Sequence, residues 1–132
     1  MAVDLNMRIL IVDDYKTMLR IMRNLLRQLG FENVEEASDG SAALALLQGG
    51  TTFDLIISDI EMPKMSGFDL ARSIRKIPKY ATTPLMAVSS RADDKYQAEG
   101  MSAGFDLYME KLKPDTFLSA IYQLAQEQRK AS

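Results

Sequence analysis

Short, unbroken runs of aliphatic residues, each closed by polar residues, constrain this chain more than any other feature. Ile9-Leu10-Ile11-Val12 leads into Asp13-Asp14, and Leu55-Ile56-Ile57-Ser58 into Asp59. Leu85-Met86-Ala87-Val88 leads into Ser89-Ser90, and Leu107-Tyr108-Met109 into Glu110-Lys111. A strand with one wet face alternates apolar and polar residues, so an unbroken run implies a strand covered on both sides. Such strands belong to parallel sheets, whose crossover connections are usually helices.

The intervening sequence supplies those helices. Met18, Ile21, Met22, Leu25, Leu26 and Leu29 form a helical stripe, with Lys16, Arg20, Arg23 and Arg27 on the solvated face and Gly30 placed to stop the helix. Val34 to Ala37 reads as a partly charged strand near a sheet edge. Ser41 is expected to cap a helix carrying Ala43, Leu44 and Leu47, closed by Gly49-Gly50. A third helix after Met62-Pro63 buries Phe68, Ala71 and Ile74. Residues 93–103 make a poor helix, with few large apolar residues and Gly100 inside it. Pro114 suits the first turn of a last helix that buries Phe117, Ile121, Leu124 and Ala125. Five strands alternating with five helices predict an α/β fold, a parallel sheet with helices on both faces. Residues 1–6 read as a short tail, and the 132 residues as one domain.

Composition then removes whole classes of chemistry. The chain has no Cys and no His. Disulfides, thiolate nucleophiles, zinc-thiolate sites, Ser-His triads and imidazole metal ligands are therefore excluded. A metal here must be a hard cation held by oxygen. A net charge of -2 argues against nucleic-acid or anionic-membrane binding. The apolar run near the N-terminus is too short for a signal h-region or a membrane span. The expectation is a soluble, cytoplasmic monomer.

Ligands of open α/β sheets bind outside the carboxyl ends of the strands. If the first, third, fourth and fifth strands are neighbours, those ends collect Asp13, Asp14, Asp59, the Ser89 hydroxyl and the Lys111 ammonium. Crowded carboxylates are relieved by a raised pKa or a bound cation, and oxygen ligands without imidazole suit Mg²⁺. Asp59 can then attack phosphorus, with Lys111 and Ser89 holding phosphoryl oxygens. Each residue alone has a plainer reading: Asp14 as a cap for the first helix, Lys111 as a solvated charge. A metal-dependent phosphohydrolase using Asp59-Ile60-Glu61 is an alternative, but the chain offers no cap domain or substrate pocket for it. Flavin binding is disfavoured, because Asp13-Asp14 would repel the cofactor phosphate.

The runs Ile11-Val12-Asp13-Asp14, Ser58-Asp59-Ile60-Glu61-Met62-Pro63-Lys64-Met65-Ser66-Gly67 and Tyr108-Met109-Glu110-Lys111 resemble those of bacterial two-component receiver domains. Thr17-Met18, Arg23-Asn24-Leu25-Leu26, Leu29-Gly30-Phe31 and Asn33-Val34-Glu35-Glu36-Ala37 are most similar to the stand-alone members that act in chemotaxis. The resemblance implies a flavodoxin-like sheet of order 2-1-3-4-5 and Asp59 as phosphoacceptor. It implies Mg²⁺ ligation by Asp14, Asp59 and the backbone carbonyl of Glu61, with Asp13 acting directly or through water, and Ser89 and Tyr108 as switch residues. It also implies a histidine kinase as phosphodonor, a phosphatase as a further partner, and a flagellar motor switch protein as target of the face from residue 93 onward. On this reading the chain is a signalling switch and not an enzyme in the ordinary sense. It promotes its own phosphoryl transfer and slow autodephosphorylation. A phosphate sink or phosphorelay intermediate is the alternative within signalling.

Two positions depart from the family pattern or vary within it. The family lysine normally precedes a proline through a cis peptide, whereas Leu112 follows Lys111, with Lys113-Pro114 two residues later. A non-proline cis bond costs about 2.5–4 kcal/mol, so a trans bond and a rebuilt loop are expected, with Lys111 as the functional lysine. Glu61, Ser90 and Arg91 should rim the pocket, and opposite charges on Glu61 and Arg91 suggest a pair across its entrance.

Overall fold

The computed structural model describes residues 4–111 and 113–131, with side chains through Leu124 in the last helix. Strands β1 (Ile9–Val12), β2 (Val34–Ala37), β3 (Leu55–Ser58), β4 (Leu85–Ser89) and β5 (Leu107–Glu110) form one sheet. Its order is β2-β1-β3-β4-β5, and all its pairings are parallel. Helices α1 (Lys16–Gln28), α2 (Gly40–Leu47), α3 (Gly67–Arg75), α4 (Asp94–Ala103) and α5 (Pro114–Ala131) connect or follow them, with a 3-10 turn at Pro78–Tyr80.

The pleat divides each apolar run between two cores. Ile9 and Ile11 of β1 and Leu55 and Ile57 of β3 pack with Met18, Leu19, Met22 and Leu26 of α1 and Phe117, Ile121 and Leu124 of α5. Leu10, Val12 and Ile56 turn the other way, onto Ala43 and Leu47 of α2 and Phe68, Leu70, Ala71 and Ile74 of α3. Every residue of β1, β3 and β4 is buried, as the unbroken runs require. At about 1.5–3 kcal/mol per fully buried large aliphatic side chain, this double layer is the main favourable term of folding. The edge strand β2 buries only Val34 and Ala37, and Glu36 on it meets Arg23 of α1 at 2.6 Å.

Local signals set the helix ends. Gly30, at φ 98°, follows the last residue of α1 in the left-handed region. Its N–H donates to Arg27 O and that of Phe31 to Leu26 O, the two bonds of a Schellman stop. For α2 the sequence expectation needs correcting: the cap is Asp39, which accepts the Ala42 N–H at 2.7 Å, while Ser41 lies inside the helix. Asp39 has the extended backbone that a cap requires, so of two suitable side chains the earlier one is used. The poor helix forms as α4, capped by Asp93 and burying only Gly100 and Ala103. The peptide bond between Lys111 and Leu112, and the burial of Ala125, lie outside the described residues and side chains.

Arg75 at the end of α3 ties the sheet's amino end together. Its guanidinium donates to the carbonyls of Gly104, Tyr80 and Thr83, and reaches Asp106 Oδ2 at 3.0 Å. The same Asp106 oxygen accepts the Leu85 N–H, so one side chain joins α3, the 3-10 turn and the entries to β4 and β5. Replacing Arg75 with Ala would leave these carbonyls short of donors. Arg75→Ala is expected to destabilise the fold by about 2–4 kcal/mol in urea unfolding, whereas Arg72→Ala, which loses only exposed ion pairs, should cost under about 1 kcal/mol.

Candidate functional site

The register of the sheet assembles the acidic residues. Val12 lies opposite Ser58, so the next residues, Asp13 and Asp59, emerge side by side. The ladder runs one residue past the strands, through Asp59 N–H to Val12 O at 2.8 Å and Lys111 N–H to Ser89 O at 2.9 Å. Asp13, Asp59 and Ser89 are buried, and Asp14 is exposed. The carboxylates of Asp13, Asp14 and Asp59 each offer an oxygen within 4.8 Å of the others.

Lys111 reaches into this cluster from β5. Its Nζ lies 3.1 Å from Asp13 Oδ2 and 3.1 Å from Asp59 Oδ1. Asp59 Oδ1 also accepts the Ile60 N–H at 2.8 Å, which leaves Oδ2 without a partner among the described residues. Asp13 Oδ1 accepts the Tyr15 N–H at 2.9 Å. Its Oδ2 is buried, with the Lys111 ammonium as its partner among the described residues. Asp14 does not cap α1, whose first turn has no side-chain cap, and its carboxylate is partnerless among the described residues.

The electrostatics follow from this crowding. Burial pushes the Asp59 carboxyl up to about 6, the Asp13 charge adds to the effect, and Lys111 and the Ile60 N–H oppose it. Asp13 is also raised by burial, against the Tyr15 N–H and Lys111. Burial pulls the Lys111 ammonium down, but Asp59 and Asp13 together outweigh it and the net shift is upward. Three carboxylates with oxygens within 4.8 Å of one another, one of them exposed and partnerless among the described residues, fit a hard divalent cation that keeps several waters.

The rim differs from expectation. Glu61 and Arg91 do not pair: Glu61 Oε1 accepts the Ser90 hydroxyl at 3.0 Å. The Arg91 guanidinium lies over the Tyr96 ring at 4.6 Å, with Asp93 at 3.9 Å. An aromatic face and a nearer carboxylate offer Arg91 a better position than an exposed pair across the entrance. Below the rim, Ser89 Oγ accepts the Arg91 N–H at 3.0 Å, and the Tyr108 hydroxyl donates to Arg91 O at 2.6 Å. Tyr108 is half-buried, and a Cβ added at Gly100 would fall 2.6 Å from its ring.

Ser58 and Gly67 carry no individual role in the sequence reading, although both lie in the quoted motif. Ser58 is fully buried, and its hydroxyl donates to Asp59 O at 2.8 Å. A Cβ at Gly67 would fall 2.2 Å from that same carbonyl oxygen, so α3 can start this close to the Asp59 loop only with glycine. Lys64, at φ 70°, holds the loop's turn in the left-handed region, next to a Met65 N–H to Pro63 O contact of 2.8 Å.

Comparison with known proteins agrees with this geometry. The family model for the response regulator receiver domain matches residues 9–122. Chemotaxis protein CheY-3 of Vibrio cholerae serotype O1 is 43% identical over 106 residues, covering 80% of this chain and 81% of that protein. Chemotaxis protein CheY of Pseudomonas aeruginosa is 44% identical over 105 residues, covering 80% and 84%. Among solved structures, V. cholerae CheY4 superposes with a TM-score of 0.83 at 32% identity, covering 90% of this chain and 98% of that one. A CheY-like receiver domain protein of Methanospirillum hungatei gives 0.86 at 30% identity, covering 96% and 99%. With the sheet order, the acidic cluster and these matches in agreement, the chain belongs to the response regulator receiver domain family.

Proposed function

We propose that this chain is a single-domain response regulator that accepts a phosphoryl group on Asp59 from a histidine kinase in a Mg²⁺-dependent reaction. The observation that carries the reading is the asymmetry of the Asp59 carboxylate: Oδ1 is held by Lys111 and the Ile60 N–H, and Oδ2 has no partner among the described residues. In the transfer, Oδ2 attacks phosphorus and a P–O bond forms. The P–N bond to the donor histidine breaks, and the imidazole nitrogen leaves with the electron pair. Lys111 then offers its ammonium to the phosphoryl oxygens, and the Ser89 hydroxyl supplies a further donor. Asp13, Asp14, Asp59 and the Glu61 carbonyl would hold Mg²⁺, which would supply positive charge to offset the repulsion between these carboxylates and the incoming phosphate.

The output runs through Ser89 and Tyr108. As Ser89 turns toward the phosphoryl group, Tyr108 changes position and the face from residue 93 onward is altered for a target. The relatives' names support chemotaxis as the setting. A flagellar motor switch protein is the target that the family resemblance suggests. A phosphatase would be a further partner, and the cytoplasm the compartment. Among the described residues, no helix is long and apolar enough to cross a membrane.

Incubation with a small acyl phosphate and Mg²⁺, read by intact mass, tests the reading. Wild type should gain one phosphoryl group, and Asp59→Ala none. No gain by wild type, or equal gain by the variant, would overturn it.

A pH dependence follows from the Asp59 carboxyl standing at about 6 in the fold against 3.8 for the free side chain. The folded state binds this proton more tightly than the unfolded state does. The stability it contributes is therefore full below 3.8 and lost as pH rises through about 6. Without Mg²⁺, Asp59→Asn is expected to stabilise the protein by about 1–3 kcal/mol near neutral pH. That gain should shrink toward zero as the pH falls below the free-carboxyl value, as thermal unfolding across the range would show.

A further inference from the structure

We infer that Ser58 is a positioning residue for phosphoryl transfer: its hydroxyl fixes the Asp59–Ile60 peptide and thereby determines which Asp59 carboxylate oxygen is free to react. The inference rests on the proposed role of Asp59 and assigns a function to a residue outside the set of carboxylates, lysine and switch side chains.

The geometry centres on one peptide unit. Its carbonyl, Asp59 O, accepts the Ser58 hydroxyl at 2.8 Å. Its N–H, on Ile60, donates at 2.8 Å to Oδ1 of Asp59 itself. A peptide unit is planar, so its carbonyl and its N–H turn together. A grip on the carbonyl therefore sets the direction of the N–H, and the N–H determines which carboxylate oxygen is tied. Ser58 and Asp59 are both buried, so water does not readily substitute for the hydroxyl. Gly67 closes the remaining side, since even a Cβ there would meet Asp59 O at 2.2 Å.

Removal of the Ser58 hydroxyl leaves a buried carbonyl without its donor and lets the peptide tilt. The Ile60 N–H then loses its aim on Oδ1, and the carboxylate gains freedom to rotate about its last torsion. Lys111 contacts both Asp13 and Asp59, so it cannot hold the carboxylate in one orientation alone. The consequence should appear in the rate of phosphoryl gain more than in the fold, because the packing of β3 depends on Leu55, Ile56 and Ile57.

Ser58→Ala and Ser58→Cys test this, the second keeping the volume while offering only a weak donor. Phosphorylation by a small acyl phosphate with Mg²⁺ is followed by intact mass, and the Ile60 amide by proton–nitrogen NMR. Both variants should be slowed about tenfold, with the Ile60 amide proton shifted and exchanging faster while amides of β1 stay in place. A rate within twofold of wild type in either folded variant would overturn the inference, as would a slowed rate with the Ile60 amide unmoved. Asp59→Ala in parallel separates the two levels: phosphoryl gain on that variant would overturn Asp59 as acceptor, not merely Ser58 as its guide.

Discussion

One ammonium shared between two buried carboxylates is the constraint around which this molecule is arranged. Asp13 and Asp59 end adjacent strands in matched register, so their proximity follows from the sheet itself. Left alone, two such charges in a poorly hydrated place would repel strongly. Lys111 offsets that repulsion, and it comes from β5, with β4 standing between β5 and β3. Its side chain must therefore cross the end of β4, where the chain carries the small residues Ser89 and Ser90. The strand order, the small strand end and the lysine form one solution to one electrostatic problem.

That solution is not aimed at stability. Desolvating an ion cluster costs about as much as its internal attractions return, and here the net effect leaves Asp59 raised to about 6. The double-sided aliphatic core supports the cost. Two buried carboxylates sharing the one Lys111 ammonium are the clearest mark of that imbalance. Arg75 does the opposite work at the other end of the strands, where its guanidinium satisfies carbonyls from separate segments.

The contrast explains what could be read from the sequence. Strands β1, β3 and β4 were legible because burial on both faces erases alternation, and Asp13, Asp59, Ser89 and Lys111 because each ends such a run. Sheet order came from family resemblance, since apolar runs do not say which neighbours they choose. Arg75 was invisible: its acceptors are scattered through tertiary structure, and a lone arginine at a helix end usually reads as solvated. The expected Glu61–Arg91 pair failed for a similar reason. Opposite signs at the rim said nothing of the Tyr96 ring, which offers Arg91 a closer surface. Ser41 lost its cap role to Asp39 by two residues, a distinction that only backbone dihedrals make.

Arg91 nonetheless occupies a connecting position, through its backbone and not its charge. Its N–H is held by Ser89 Oγ and its carbonyl by the Tyr108 hydroxyl, the two proposed switch side chains. A Ser89 hydroxyl drawn toward a phosphoryl group would give up the Arg91 N–H, and the β4–α4 connection would lose one of its anchors. Another anchor belongs to Tyr108, whose ring presses on α4 at Gly100, where a Cβ would fall 2.6 Å from it. The helix at the end of this path is also the one that buries least, only Gly100 and Ala103. Local motion is least costly in elements with few buried apolar contacts, so under the proposed switch α4 is the element expected to yield when these anchors change.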